Sequence, residues 1–277
     1  MLGCIRTAVG RTLRSELTVH AAGLPVAVRL TPEDIEDCVV PVVERVVEAA
    51  ATSRQRVVVG ISGPAGAGKS VLAEVLVLVI NAAMEELRAN YDTFSALRGP
   101  AAVAFGVDGY HLPDEVLHQR RIHHFKGRPP TLDLASLSHD LEAVLNQSPG
   151  EPVIQIPWYD RTAHSPRPDG QIIAAPPEGP IIVIVEGILL FTGHFLRHGD
   201  PFALKIFMDL PEPVARARVN ARKVAGGRSH QDTEDHYMRV DRPNHDEMAA
   251  VRDACDFVLQ QSETSEYGYR IVDRGGG

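Results

Sequence analysis

Apolar stretches typical of buried strands alternate with stretches of helical periodicity along most of this chain. The strand-like stretches are residues 57–61, 101–107, 153–156, 181–185, 203–208 and 257–260. Helical spacing of apolar positions occurs at residues 71–87, 136–146, 213–224 and 246–254, and Thr31-Pro32-Glu33-Asp34 begins a further helix that runs to about residue 50. This alternation predicts an α/β fold with three layers, α/β/α, around a mostly parallel sheet that binds ligands at the carboxyl ends of its strands.

A glycine-rich loop joins the strand at residues 57–61 to the helix that starts at residue 71. It matches the phosphate-binding pattern G-x-x-x-x-G-K-[ST], in the strand-to-helix context that this pattern requires. Glycines let the backbone curl around an anion, and free N–H groups at a helix start point at phosphate. We therefore expect the following residues to bind a nucleoside triphosphate: Gly63, Pro64, Ala65, Gly66, Ala67, Gly68, Lys69, Ser70 and Val71. Lys69 would reach the terminal phosphates, and the Ser70 hydroxyl would ligate Mg²⁺.

Two carboxylates follow predicted strands and would therefore lie at the same sheet edge as this loop. Asp108 follows the strand at residues 101–107, where it could accept a proton from a substrate hydroxyl or position that hydroxyl. Asp108-Gly109 is also typical of a turn, so the pattern alone leaves both interpretations open. Glu186 closes the strand at residues 181–185 and is, with Ser70, a predicted Mg²⁺ ligand; the alternative is that it only orders the turn at Gly187.

Composition narrows the function classes. The chain has 277 residues and a net charge of −8, which argues against a nucleic-acid surface and favours a small-molecule substrate. No apolar run approaches the length needed to span a membrane. Cys4, Cys38 and Cys255 are too widely spaced to suggest a disulfide framework, so we expect a reducing, cytoplasmic setting.

Residues 1–30 are arginine-rich, and we expect an N-terminal extension that is either mobile or an organelle-targeting segment, followed by one domain at residues 31–277.

Five motifs occur in the order that is typical of one kinase superfamily. They are the loop at residues 63–70, Asp108-Gly109-Tyr110-His111-Leu112, Lys126-Gly127-Arg128-Pro129-Pro130-Thr131-Leu132-Asp133, the segment at residues 159–165, and Glu186-Gly187-Ile188-Leu189-Leu190. Together they resemble the phosphoribulokinase/uridine kinase superfamily, which includes pantothenate kinase and related sugar and glycerate kinases. The resemblance covers roughly residues 57–255 and implies an ATP- and Mg²⁺-dependent kinase that phosphorylates a hydroxyl of a small metabolite.

The resemblance also implies roles for individual residues. The catalytic set would be Asp108, Lys69, Arg218 and Arg222, with the two arginines on a helical lid at about residues 213–230 that closes over the phosphates. Arg218 and Arg222 are four positions apart and so share one helical face. A solvated basic face is the alternative. The expected substrate-binding residues are Tyr110, His111, Lys126, Tyr159, His164 and Arg228.

The identity of the acceptor substrate is left open, because different motifs resemble different branches of the superfamily. Residues 154–165 look like the nucleoside-contacting stretch of uridine-cytidine kinases, where Tyr159 and His164 would contact the base, whereas Lys126-Gly127-x-Pro looks like the pantothenate and sugar kinase branch. We expect a nucleoside, with pantothenate, a sugar or glycerate as alternatives. An ATP-binding regulatory protein without catalysis is the alternative from another class. The oligomeric state, including a homodimer, is left open.

Overall fold

A six-stranded sheet lies at the centre of the protein, seen here in a computed structural model that describes residues 1–21, 24–53, 56–94, 99–160, 163, 165–262 and 267–272. The strands of the described part are β1 (Leu17–Ala21), β2 (Leu24–Val28), β3 (Val57–Ser62), β4 (Ala102–Gly106), β5 (Ile154–Gln155), β6 (Trp158–Asp160), β7 (Ser165–Arg167), β8 (Ile172–Ile173), β9 (Ile182–Glu186), β10 (Phe202–Asp209), β11 (Phe257–Gln261) and β12 (Tyr269–Ile271). The order in the central sheet is β12-β11-β10-β3-β9-β4, and every neighbouring pair is parallel except β11 and β12. The predicted α/β class with a mostly parallel sheet is confirmed.

Helices cover both faces of this sheet. They are α1 (Leu2–Thr12), α2 (Pro32–Asp34), α3 (Val40–Thr52), α4 (Lys69–Asn90), α5 (Asp114–Gln119), α6 (Leu134–Asn146), α7 (Gly193–Leu196), α8 (Glu212–Ala225), α9 (His230–His236) and α10 (Arg242–Ala249). A π-helical turn at Ile35–Val39 joins α2 to α3, and another at Tyr237–Asp241 joins α9 to α10.

Alternate residues of the buried strands belong to two separate apolar clusters. Val59 and Ile184 pack into the cluster that contains α1, α3 and α4, whereas Val58 and Val183 pack into the cluster with α6 and α7. Because successive side chains of a strand point to opposite faces, near-continuous apolar strands such as β3 are required for a sheet that is buried on both sides. This arrangement is the predicted three-layer α/β/α architecture.

The N-terminal segment, expected to be a mobile or targeting extension, contains helix α1 and strands β1 and β2 within its described residues, 1–21 and 24–30. Helix α1 packs along α4, and its side chains at Ile5, Ala8 and Val9 are fully buried. Strands β1 and β2 form an antiparallel hairpin, and β1 also contacts α4. The spacing of Ile5, Ala8 and Val9 gives α1 one apolar face, and burial of that face against α4 fixes the segment to the rest of the fold.

Residues 153–156, expected to be a strand of the sheet, lie outside it. Ile154–Gln155 instead pairs with Ile172–Ile173 in a two-stranded ribbon, and Trp158–Asp160 pairs with Ser165–Arg167 in a second one. The prolines on both sides of residues 153–156 lack the N–H groups that a longer ladder would need.

None of the helices that the structure describes is long and apolar enough to cross a membrane.

Candidate active site

The phosphate-binding loop has the backbone shape that its glycines predict. Gly63, Gly66 and Gly68 all have positive φ, and Gly68 caps the start of α4. A Cβ at Gly63 would collide with the carbonyl oxygen of Met208, and one at Gly68 would lie 2.5 Å from the hydroxyl oxygen of Tyr269. Only glycine fits these positions, so the loop curls as a cradle in front of the α4 N-terminus, where N–H groups are available to an anion.

Lys69 is folded back onto this loop. Its ammonium group donates hydrogen bonds of 3.0 Å to the carbonyl oxygens of Gly63 and Pro64. Burial lowers the pKa of Lys69, and the negative charges of Glu186 and Asp108 partly oppose that shift. The ammonium is therefore held at the loop and near both carboxylates, in a place where phosphate oxygens could replace the two carbonyl partners.

Ser70 and Glu186 meet at the carboxyl ends of neighbouring strands. Strand β9 lies between β3 and β4, with Glu186 in register with Ile61 on one side and Gly106 on the other. The Ser70 hydroxyl donates a 2.8 Å hydrogen bond to Glu186 Oε1. One hydroxyl and one carboxylate at a phosphate-binding loop are hard oxygen donors of the kind that Mg²⁺ prefers, so the residues present fit this ion.

Asp108 lies at the end of the adjacent strand, β4. It is part of a 3₁₀ turn at Val107–Tyr110, and its side chain is 42% exposed. The ring Nδ1 of His111 is 2.9 Å from the Asp108 backbone oxygen, which ties the turn together and leaves the carboxylate facing a cavity. The turn therefore gives Asp108 a local structural role and at the same time presents its carboxylate to a ligand.

A single open cavity of about 630 Å³ connects these groups. Its lining includes Ser70 and Glu186, Asp108, and an aromatic wall of Trp158 and Tyr159 from the β6 ribbon. This volume lies within the range of small-molecule sites, and its mixture of polar groups with an aromatic wall is typical of them. Further lining residues are His20, Ala73, Glu74, Ala104, Phe105, Gly106, Gly109, Pro157, Asp169, Gly170, Gln171 and Ile172.

Three of the expected substrate-binding residues lie close together at the aromatic wall. The rings of His111 and Tyr159 are 5.3 Å apart, and the ammonium of Lys126 lies 5.3 Å from the centre of the Tyr159 ring. Lys126 also donates a 2.5 Å hydrogen bond to Asp114 Oδ1. Of the three, only Tyr159 lines the cavity itself, while His111 and Lys126 support its ring.

Tyr110, expected to bind substrate, is not among the residues that line the cavity. Its side chain is buried in the core on the α6 side, and its hydroxyl donates a 2.8 Å hydrogen bond to Asp140 Oδ2. Burial and the nearby carboxylate raise the pKa of Tyr110, so the hydroxyl stays protonated and remains a donor. The turn that presents Asp108 to the cavity directs the side chain two positions later into the core. His164 lies outside the described residues.

The arginines of α8 reach the phosphate loop at one point. Arg218 Nη1 donates a 3.2 Å hydrogen bond to the carbonyl oxygen of Gly66. Arg222 lies close enough to Lys69 for its positive charge to favour the neutral form of that lysine. Arg228 is exposed on the turn between α8 and α9 and does not line the cavity. The structure thus brings Arg218 into contact with the loop and leaves Arg228 apart from the cavity.

Two contributors to the site were not predicted from the sequence. Tyr269 on β12 donates a 2.5 Å hydrogen bond to the carbonyl oxygen of Ala67 in the loop. His20 on β1 lines the cavity together with Glu74 of α4. The alternation of Leu17, Val19 and Ala21 with polar residues is a strand signal that would have placed His20 on an outward face. Nothing in the sequence connects Tyr269 to a loop about two hundred positions earlier.

Comparison with known proteins agrees with this geometry. No family model matches the chain. The chain is 29% identical over 260 residues to an uncharacterized protein of Escherichia coli, YggC, and the match covers 93% of this chain and 99% of that one. It is 30% identical over 226 residues to the uridine kinase of Shewanella piezotolerans, covering 81% and 90% of the two chains. The fold is also similar to the crystal structure of a candidate fructose transport system kinase from a Silicibacter species. That match covers 80% of this chain and 98% of the other chain, with 22% identity and a TM-score of 0.65.

The sheet order, the glycine loop and the Ser70–Glu186 pair are those of a P-loop nucleotide-binding protein. The extended similarity to a uridine kinase narrows this class further. The chain belongs to the phosphoribulokinase/uridine kinase superfamily of P-loop small-molecule kinases, and the family resemblance of its five motifs is confirmed.

Proposed function

We propose that this protein transfers the γ-phosphoryl group of ATP to a hydroxyl group of a small metabolite, and that this metabolite is a nucleoside. The observation that carries the proposal is the single cavity that runs from Ser70 and Glu186 past Asp108 to Tyr159. A phosphoryl transfer needs the donor phosphate, the acceptor hydroxyl and a proton acceptor in line with one another, and this cavity offers a place for each.

The roles of the residues follow from their positions. The loop amides and Lys69 would hold the β- and γ-phosphates of ATP. Mg²⁺, when bound by Ser70 and Glu186, would neutralise phosphate charge. Asp108 would accept the proton of the acceptor hydroxyl as its oxygen bonds to the γ-phosphorus and the bond from that phosphorus to ADP breaks.

The lid arginines would act on the same phosphates. Arg218 bonds to the loop carbonyl of Gly66, so a small rotation of its side chain would bring the guanidinium from this carbonyl to a phosphate oxygen. Arg222 would join it because it lies one turn further along the same helical face. Closure of residues 213–230 over the nucleotide would exclude water, which would otherwise compete with the acceptor.

The aromatic wall favours a nucleoside as the acceptor. Tyr159 lines the cavity and its ring contacts His111 and Lys126, and a planar base could stack on a ring fixed in this way. The similarity to a uridine kinase over most of both chains points the same way. The Lys126-Gly127 pattern, which is similar to the pantothenate and sugar kinase branch, keeps pantothenate, sugars and glycerate as alternatives.

A substrate panel tests this proposal. Purified protein with Mg·ATP is given uridine, cytidine, pantothenate, hexoses and glycerate, and acceptor-dependent release of ADP is measured with a coupled assay. We expect turnover with a nucleoside, abolished in Lys69→Ala. Turnover with another member of the panel would keep the reaction and replace the acceptor. Binding of ATP without acceptor-dependent ADP would instead identify an ATP-binding regulatory protein.

A further inference from the structure

The N-terminal hairpin contributes a side chain to the lining of the cavity. On β1, Val19 and Ala21 are buried, and β1 packs on α4. Residues of a strand alternate in direction, so Thr18 and His20 lie on the opposite, exposed face. His20 is a lining residue of the cavity, whereas Thr18 on the same face is not.

Helix α4 places Glu74 opposite this histidine. Ser70, Ala73 and Glu74 all line the cavity, as expected for residues three and four positions apart on one helical face. Glu74 is half-buried, and burial raises its pKa while the nearby His20 opposes that shift. The same helix thus begins at the phosphate end of the cavity with Ser70 and continues, one turn on, to a carboxylate beside His20.

Building on the proposed function, we propose that His20 and Glu74 form an acceptor-recognition pair, contributed jointly by the N-terminal hairpin and α4, that hydrogen-bonds a hydroxyl of an uncharged acceptor. An imidazole can donate and accept, and a carboxylate accepts, so together they suit a hydroxyl group, which does both. Neither residue would take part in the phosphoryl transfer itself. Both would determine which metabolite is held in front of Asp108.

The charges around the cavity define the class of acceptor. Its lining residues include the carboxylates of Glu74, Asp108, Asp169 and Glu186, and no lysine or arginine is among those that the structure describes. Lys69 and a bound Mg²⁺ would offset the charges of Asp108 and Glu186, but Glu74 and Asp169 would still repel an acceptor with its own carboxylate or phosphate. Neutral polyhydroxyl compounds, such as nucleosides and free sugars, are therefore favoured over acidic ones.

The experiment measures the binding of acceptors separately from their turnover, which the substrate panel described above gives. Calorimetry gives the affinity of the wild-type protein, loaded with a non-hydrolysable ATP analogue and Mg²⁺, for uridine, glucose, pantothenate and glycerate. The same titrations are made with His20→Ala, Glu74→Gln and the control Thr18→Ala, which removes a side chain from the same face of the same strand. Affinity for the ATP analogue is measured in every variant to exclude damage to the fold.

We expect the wild-type protein to bind a neutral probe in preference to both acids. His20→Ala should weaken binding of that probe about tenfold, the effect of losing one hydrogen bond. Glu74→Gln keeps an acceptor oxygen but loses its charge, so it should weaken binding of the probe only severalfold. Glu74→Gln should also narrow the preference for neutral over acidic probes. Thr18→Ala and the affinity for the ATP analogue should not change.

Two results would overturn this inference: unchanged affinity for the neutral probe in His20→Ala and Glu74→Gln, or a wild-type protein that binds only acids or none of the four. A neutral probe that binds in the predicted way but is never phosphorylated would support the recognition pair and refute the proposed kinase reaction instead.

Discussion

The hydroxyl of Tyr269 donates a hydrogen bond to the backbone carbonyl oxygen of Ala67, which ties the antiparallel edge strand β12 to the centre of the phosphate-binding loop. Both residues are buried. Gly68, the next residue, leaves just enough space for this hydroxyl because it has no Cβ. The loop is therefore shaped from two sides, by its own glycines and by a side chain from the end of the sheet.

Tyr269→Phe should test this connection. The change removes one hydrogen bond without altering the packing of the ring, so it should lower the free energy of unfolding by about 1 kcal/mol. The KM for ATP should rise severalfold because the loop is less well ordered before the nucleotide binds. Urea unfolding and initial-rate kinetics measure the two effects. An unchanged KM for ATP would show that the bond serves stability alone.

Lys69→Ala should weaken nucleotide binding and transfer together. The ammonium is the only part of the side chain that could contact phosphate, and loss of a charge-assisted hydrogen bond costs about 1.5–3 kcal/mol. Calorimetry with ATP and a coupled assay give both values. Lys205→Ala is the matched control, since Lys205 pairs with Asp200 away from the cavity. Normal ATP affinity in Lys69→Ala would exclude Lys69 from the phosphate site.

Asp108→Asn should separate binding from chemistry. The amide has the size of the carboxylate but cannot accept a proton, so transfer should fall on the order of a hundredfold or more while the affinity for ATP stays nearly constant. Asp200→Asn, at an exposed position outside the cavity, should leave both values unchanged. Retention of the full kcat in Asp108→Asn would remove Asp108 from its proposed role.

Tyr110→Phe should affect stability and not substrate binding. The hydroxyl bonds to Asp140, so its loss should lower the free energy of unfolding by about 1 kcal/mol, while the KM for the acceptor stays the same. Tyr159→Leu provides the contrast, because that ring lines the cavity and its removal should raise the acceptor KM. Unfolding curves and acceptor titrations distinguish the two tyrosines. A raised acceptor KM in Tyr110→Phe would restore its expected contact with substrate.

Ile5→Ala should destabilise the whole protein. Ile5 is fully buried where α1 lies against α4, and truncation of a buried isoleucine to alanine costs about 2–5 kcal/mol. The neighbouring Arg6→Ala removes only an exposed ion pair with Glu44 and should cost less than about 1 kcal/mol. Chemical denaturation compares the two variants. Equal, small effects would mean that α1 contributes little to the stability of the fold.

The sequence predicted those parts of the site that come from short, continuous motifs. The glycine loop is one such motif, and Ser70, Asp108 and Glu186 meet because parallel strands end at one sheet edge. The direction of the Tyr110 side chain could not be predicted, because a 3₁₀ turn directs neighbouring side chains to different sides and only the three-dimensional structure shows which one faces the cavity. Tyr269 and His20 reach the site through tertiary packing over long sequence separations.

The hairpin was missed for a different reason. Five-residue strands give a weak periodic signal, and the arginines of the first fifteen residues are also typical of targeting segments. Whether residues 1–30 have such a function stays a prediction. Their packing against α4 is a property of the folded protein that a compositional pattern could not indicate.

The contact between α1 and α4 bears on any shortened form of this enzyme. A protein that starts at residue 31 would contain every recognisable kinase motif, yet it would leave the flank of the phosphate-loop helix bare of Ile5, Ala8 and Val9. Exposed apolar strips of this kind drive self-association. Aggregates or dimers formed by such a fragment would result from this exposed apolar surface and would not show the assembly state of the protein that contains residues 1–30.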